Sequence, residues 1–309
     1  MGYKLAGFEV AAANDIDPQM QEMYLANHHP EKYYLAPIEE LLKKGALDDL
    51  PEFDVLDGSP PCSVFSIAGK REKGWQVEKH FREGQSRQIL DDLFFQFVEL
   101  ARITKPKVVI AENVKGMLSG NARWYTREVV RRMDAAGYDT RVHLVRGSRM
   151  GVPQRRERVF FLSKRRDLNL PGWPDMRFDE QPITLRDIHQ GTYGKPGSDK
   201  MRELWANTRP GLNFSTSRPE NKNRFFNHYR MAWDRVMNTL TSGCENLLYM
   251  PDKPCRISQQ VVISASTFPL DYDFVGMDPG YVCGMSVPPV MMANVAERVR
   301  TAWFDRKPA

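Results

Sequence analysis

The sequence predicts an α/β protein, a doubly wound Rossmann-like domain carrying a smaller, loop-rich domain. Three observations lead there. Short apolar runs ending in acidic or glycine residues alternate with amphipathic helical stretches over the first half of the chain, as parallel strands joined by crossover helices do. After Ser163 this order gives way to a stretch rich in Pro, Gly, Asn and Arg with no sustained period. A helical period returns near the C-terminus.

Taken in order, "FEVAAAND" (Phe8 to Asp15) and "FDVLDG" (Phe53 to Gly58) read as buried strands, with "PQMQEMYLANH" a helix between them. "SRQILDDLFFQFVELARI" (Ser86 to Ile103) places Leu90, Leu93, Phe94, Phe97 and Ala101 on one helical stripe. "KVVIAENV" is a further strand, "RWYTREVVRRMDAAG" a helix ending at Gly137, and "RERVFFLS" another strand. "PPVMMANVAERVRTAWF" (Pro288 to Phe304) repeats Met291, Val295, Val299 and Trp303 at helical spacing. The expected organisation is a first domain over 1–164, an inserted region over 165–255, and a segment over 256–309 returning to the first domain.

With 309 residues, 41% hydrophobic and 27% charged, the chain is long enough for one large core. No apolar run approaches the roughly 20 residues that span a bilayer, and "MGYKLAGFEV" lacks the order of a secretory signal. A cytoplasmic protein without membrane contact is expected. Four scattered cysteines without a C-x-x-C pair, and six histidines, suggest neither a disulfide framework nor a metal site. The net charge of +5 is localised: Lys164 to Gln260 holds 16 Lys and Arg against 11 Asp and Glu, an excess equal to that of the whole chain. Trp173, Trp205, Trp233 and "NRFFNHYR" lie in the same stretch. That mixture suits phosphates and bases, and equally an ordinary solvated face over a core.

Three polar clusters follow expected strands. Cys62 lies in "GSPPCSVFSIAGK", behind two prolines, where turn N–H groups lower a thiol pKa. Glu112 and Asn113 end "VVIAEN". "QRRERVFF" alternates Arg156 and Arg158 on one face of a strand start, with Arg155 on the other. Singly, each has a bland reading as a structural cysteine, a capping carboxylate or a salt-bridged sheet edge. Together, a thiol, a carboxylate and an arginine pair at strand ends supply a nucleophile, a proton donor and an oxyanion stabiliser around one crevice.

These stretches, with "ENVKGM", "GFEVAAANDIDP" and more weakly "GMSVPP", resemble the cytosine-C5 DNA methyltransferase family in order and spacing. The resemblance covers roughly Ala6 to Ser163 and the last 30 or 40 residues. It implies a DNA (cytosine-5-)-methyltransferase of restriction-modification or phage type. Such an enzyme transfers a methyl group from S-adenosylmethionine to C5 of a flipped-out cytosine through a covalent Cys–C6 intermediate. Cys62 would be the nucleophile, Glu112 would hold and protonate N3, Arg158 would hold O2, and Arg156 would steady the site. Asp15, Ile16, Pro60 and Ser286 would bind the cofactor. Ser63, Lys70, Arg71, Lys73, Asn113, Gln154 and Arg155 would contact double-stranded DNA, and the inserted region would be the target-recognition region. A monomer is expected, with any cognate restriction endonuclease acting separately.

The chain also departs from the family. It lacks the first strand and its Phe-x-Gly-x-Gly loop, and "YYLAPIEEL" offers Ala36, Pro37 and Ile38 where the family places an Asp. Gly284-Met285 replaces Gly-Asn, and "RISQQVVISASTFPLDY" lacks the family's Glu. The absent strand would be central, so its neighbours would each lose a ladder partner. This pattern fits a truncated reading frame, with the missing segment encoded upstream, or a decayed mobile-element copy. A catalytically silent DNA-binding remnant is therefore the alternative, and an RNA cytosine-C5 methyltransferase a weaker one.

Overall fold

The computed structural model describes residues 1–60, 92–120, 122–218, 220, 224–243 and 246–305. The strands are β1 (Ala12–Asp15), β2 (Lys32–Leu35), β3 (Val55–Gly58), β4 (Val108–Val114), β5 (Tyr138–Arg146), β6 (Glu157–Arg165), β7 (Leu212–Asn213), β8 (Tyr229–Arg230) and β9 (Leu248–Tyr249). The helices are α1 (Gly2–Leu5), α2 (Pro18–Asn27), α3 (Ile38–Leu41), α4 (Leu93–Thr104), α5 (Ala122–Ala135), α6 (Leu185–Ile188), α7 (Asp199–Ala206), α8 (Gln259–Ala265), α9 (Pro279–Met285) and α10 (Pro289–Trp303). The chain forms two compact units. One comprises 8–145, 157–177 and 298–309; the other comprises 1–7, 146–156 and 178–297.

The first unit carries the α/β sheet. Its core strand is β4, "VVIAENV", buried at every position except Val114. It pairs parallel with β3 and antiparallel with β6 in the order β3-β4-β6-β5, so the sheet is mixed rather than wholly parallel. Phe94, Phe97, Val98 and Ala101 of α4 pack with Val109, Ala111 and Phe161 of the sheet and with Tyr125, Val129 and Met133 of α5. The phenyl ring of Phe94 meets that of Phe161 edge-on at 5.2 Å. Helix α5 ends as its sequence requires, with Gly137 at φ +94 two residues beyond Ala135. Helix α2 starts on Asp17, whose carboxylate accepts the Gln19 N–H, with Pro18 in its first turn.

Strands β1 and β2 pair parallel with each other and form a separate two-stranded sheet. Among the described residues, β3 has β4 as its one neighbour and β1 has β2. The six strands of this unit therefore fall into two sheets. Both β1 and β3 stay half-exposed, whereas β4 is buried.

The second unit has its own core, in which Leu185, Met231, Met237, Leu240, Leu248 and Met250 pack with Val261, Val262 and Ala265 of α8 and Cys283 of α9. Its longest segment runs from Phe178 to Glu297, beside 1–7 and 146–156, and the chain re-enters the first unit at Arg298; an inserted region over 165–255 is the expectation from the sequence. The cause is apolar. Helices α8 and α9 bury their faces against the inserted region, so residues 256–297 share its core. Trp205, Trp233 and Trp173 serve packing. Trp205 donates to the Met250 carbonyl at 2.7 Å, and Trp233 lies 4.9 Å from the His189 ring. Trp173, in the first unit, packs edge-on against Trp303.

Candidate active site

In the first unit, polar side chains gather at the carboxyl ends of β3 and β4. Glu112 pairs with Phe160 across the antiparallel ladder and Val114 pairs with Arg158. Arg158 is thus the diagonal neighbour of Glu112 on the same face of the sheet. The consequence is an ion pair of 2.8 Å between Arg158 Nε and Glu112 Oε1, with side chains only 14% and 10% exposed. Burial pushes the Arg158 pKa down because it penalises the charged form, and the Glu112 carboxylate opposes that shift. Arg158 Nη1 also donates to the Glu157 carbonyl at 2.8 Å. One carboxylate oxygen and one guanidinium nitrogen of the pair make no further hydrogen bond among the described residues.

Asn113 is buried and its amide donates to the carbonyl of Pro60 at 3.0 Å, while its oxygen accepts the Val114 N–H. The bond ties the chain just after β3 to the end of β4. It fixes the chain two residues before Cys62. Cys62 itself, with Ser63, Lys70, Arg71 and Lys73, lies outside the described residues. So do the first residues of the helix expected from Ser86.

At the end of β1, Asp15 Oδ1 accepts the Asp17 N–H at 2.9 Å. Burial raises the Asp15 pKa, and the backbone N–H groups of Asp17 and Ile16 hold it back. Tyr33, opposite Ala13 in β2, has its pKa raised by burial and then by the Asp15 charge.

In the second unit, Gln154 is fully buried, donating to the Ala265 carbonyl at 2.9 Å and accepting the Leu240 N–H at 3.1 Å. Arg156 is 1% exposed and donates to the carbonyls of Leu240 at 2.9 Å and Gly284 at 3.2 Å. Strand β6 begins at Glu157, so the alternation expected for Arg156 and Arg158 does not extend back to Arg156. Arg155 is exposed. Ser286 caps α9, its hydroxyl donating to the Val282 carbonyl at 2.7 Å. Sequence reasoning missed the Asn113–Pro60 bond and the buried Gln154, whose partners are remote in the chain.

Solved structures share this architecture. A DNA modification methyltransferase encoded within an Escherichia coli prophage superposes with a TM-score of 0.75 at 17% identity, covering 97% of this chain and 94% of its own. The Schizosaccharomyces pombe Dnmt2 methyltransferase gives 0.65 at 15% identity, covering 97% and 93%. The fold is therefore the α/β methyltransferase fold. A family model, C-5 cytosine-specific DNA methylase, matches residues 1–301, and the chain belongs to that family. The type II methyltransferase M.FnuDI of Fusobacterium nucleatum is 32% identical over 56% of this chain and 45% of its own length. M.NgoPII of Neisseria gonorrhoeae is 32% identical over 61% and 52%. M1.HphI of Haemophilus parahaemolyticus is 26% identical over 97% and 82%. The chain thus spans about half the length of the two relatives it matches at 32% identity.

Members of this family use S-adenosylmethionine, and the residues present match it only in part. Asp15 and Ile16 offer a carboxylate and an apolar side chain at the end of β1, suited to ribose hydroxyls and a purine ring. At the neighbouring strand the residues fit less well: β2 is followed by Ala36, Pro37 and Ile38, without a carboxylate before Glu39.

Proposed function

We propose that the chain acts on cytosine in double-stranded DNA as restriction-modification and phage enzymes do, with Cys62 as the nucleophile that adds to C6. The observation that carries this reading is the Glu112–Arg158 pair, set beside the Asn113 bond to Pro60. Cytosine C5 is a poor nucleophile until a thiolate adds at C6. Glu112 would hold N3 and the exocyclic amine and protonate N3 as the C–S bond forms, and Arg158 would hold O2. The adduct makes C5 an enamine carbon. S-adenosylmethionine, when bound, would supply a methyl group to C5, after which loss of the C5 proton and β-elimination would release Cys62 and return the N3 proton to Glu112. The base must first leave the duplex, at a cost of a few kcal/mol. Asn113, Gln154 and Arg156 are positioning residues in this scheme, acting through buried hydrogen bonds. Ser63, Lys70, Arg71, Lys73 and Arg155 face DNA, and Asp15, Ile16, Pro60 and Ser286 belong to the cofactor side.

The nucleophile's half of this chemistry needs no methyl donor. An activated C5 takes a proton from water and loses one, so its hydrogen exchanges with solvent. The protein should release tritium from DNA labelled at cytosine C5 without added donor, and Cys62→Ala should release none. Release by that variant at the wild-type rate would remove Cys62 from the role. A second reading, a DNA-binding remnant, is favoured by the division of β1 and β2 from the other strands among the described residues. It calls for DNA binding with neither tritium release nor, with donor present, a denaturant-resistant adduct on 5-fluorocytosine DNA.

A further inference from the structure

The second unit contains a cavity of about 330 Å³ whose lining, among the described residues, includes Arg155, Arg230, Arg235, Gly211, Tyr229 and Asn238, and no carboxylate. Its charge is built in. Arg230 is half-buried, with its guanidinium 3.7 Å from the Trp205 ring. It donates twice to the Pro251 carbonyl, at 3.0 and 2.7 Å, and also to the Thr208 carbonyl at 3.0 Å. Carbonyls satisfy its donors without cancelling its charge, so Arg230 gives the lining a fixed positive charge. Arg155 and Arg235 are exposed, and neither guanidinium makes an ion pair or hydrogen bond among the described residues.

Both are held in place by backbone. The Arg155 N–H donates to the Met237 carbonyl at 2.9 Å and the Arg155 carbonyl accepts the Thr239 hydroxyl at 2.8 Å. Gln154, buried beside it, anchors the same stretch through Leu240. Gly211 has φ +85, its N–H donates to the Arg230 carbonyl at 2.7 Å, and a Cβ there would lie 2.7 Å from Arg235 Nη1. Glycine is required for the turn, and its missing side chain leaves the space that the Arg235 guanidinium occupies. Three arginines thus line one cavity, two of them with donor forks that make no hydrogen bond or ion pair among the described residues. Such forks match the non-bridging oxygens of a phosphodiester.

We propose that this cavity is a phosphate subsite for the DNA backbone, in which Arg155 and Arg235 hold one phosphodiester against the fixed charge of Arg230. The inference rests on the DNA-modifying reading above and adds a contact that sets register on the duplex. Phosphate contacts position a protein without reading sequence.

Duplex binding by the full chain, measured from about 50 to 200 mM salt, tests it, because each phosphate contact contributes about 0.9 to the slope of log K against log salt. Arg235→Ala should weaken binding by a similar factor on duplexes of unrelated sequence. Arg155→Ala with Arg235→Ala should flatten the slope by about 0.9, Arg235→Lys should restore most of it, and the melting temperature should not move. Gly211→Ala should reproduce part of the Arg235→Ala loss. An unchanged slope in the double variant overturns the subsite while leaving the enzyme reading intact. Loss confined to one DNA sequence also overturns it, because Arg235 would then be reading a base. A wild-type chain that binds no duplex removes both proposals together.

Discussion

Glu112 and Arg158 depend on each other because neither charge has ready access to water. Removing one partner of such a pair costs about 3–5 kcal/mol, so Glu112→Ala should lower the unfolding free energy by that amount in urea titration. Asp15 acts in the opposite sense. Its folded pKa lies above its unfolded one, so the folded state favours the protonated form, and stability contributed below the unfolded pKa is lost as pH rises through the folded pKa. Asp15→Asn keeps the acceptor for the Asp17 N–H without the charge. It should be more stable than the wild type at neutral pH, with the gain vanishing in acid below the unfolded carboxylate pKa, as melting curves across pH would record. Burial pushes the Cys283 thiol up to about 11, so Cys283 should resist alkylation at pH 8 until the protein unfolds, as mass spectrometry would report. Glu112 and Arg158 were legible in the sequence because a charge ending or starting an apolar run marks a strand end. Gln154 and Arg156 were not legible as buried residues, since their partners lie 84 to 128 positions away.

At the level of elements, long apolar strands and amphipathic helices announced themselves. Strand β4 and helices α5 and α10 lie within a residue or two of where periodicity put them. Strand β5 was missed because "YDTRVHLVR" buries only Tyr138 and Val145 and carries no apolar run. Helices α8 and α9 are seven residues each, too short for a period to show. Strand β3 sits tightly on α4: a Cβ at Gly58 would lie 2.3 Å from the Phe97 ring, which is itself buried in the core. Gly58→Ala should therefore destabilise by about 1–3 kcal/mol, the usual cost of overpacking, visible as a lower urea midpoint at unchanged slope.

For the whole molecule, the division of the sheet sets where stability resides. Strand β4 is buried between two neighbours, whereas among the described residues β1 and β2 pair only with each other and remain half-exposed. Native-state hydrogen exchange should protect the amides of β4 and β6 most and release those of β1 and β2 early. Equal protection in both sheets would contradict this ranking. The fate of "QRRERVFF" has a further consequence, for selection. Gln154 and Arg156 hold together the core of the second unit, so a copy that had stopped reacting with DNA would still keep them simply in order to fold. Their persistence across a lineage records the demand for a stable protein, whereas joint replacement of Glu112 and Arg158, which strands no unpaired buried charge, would register that the proposed reaction is no longer maintained.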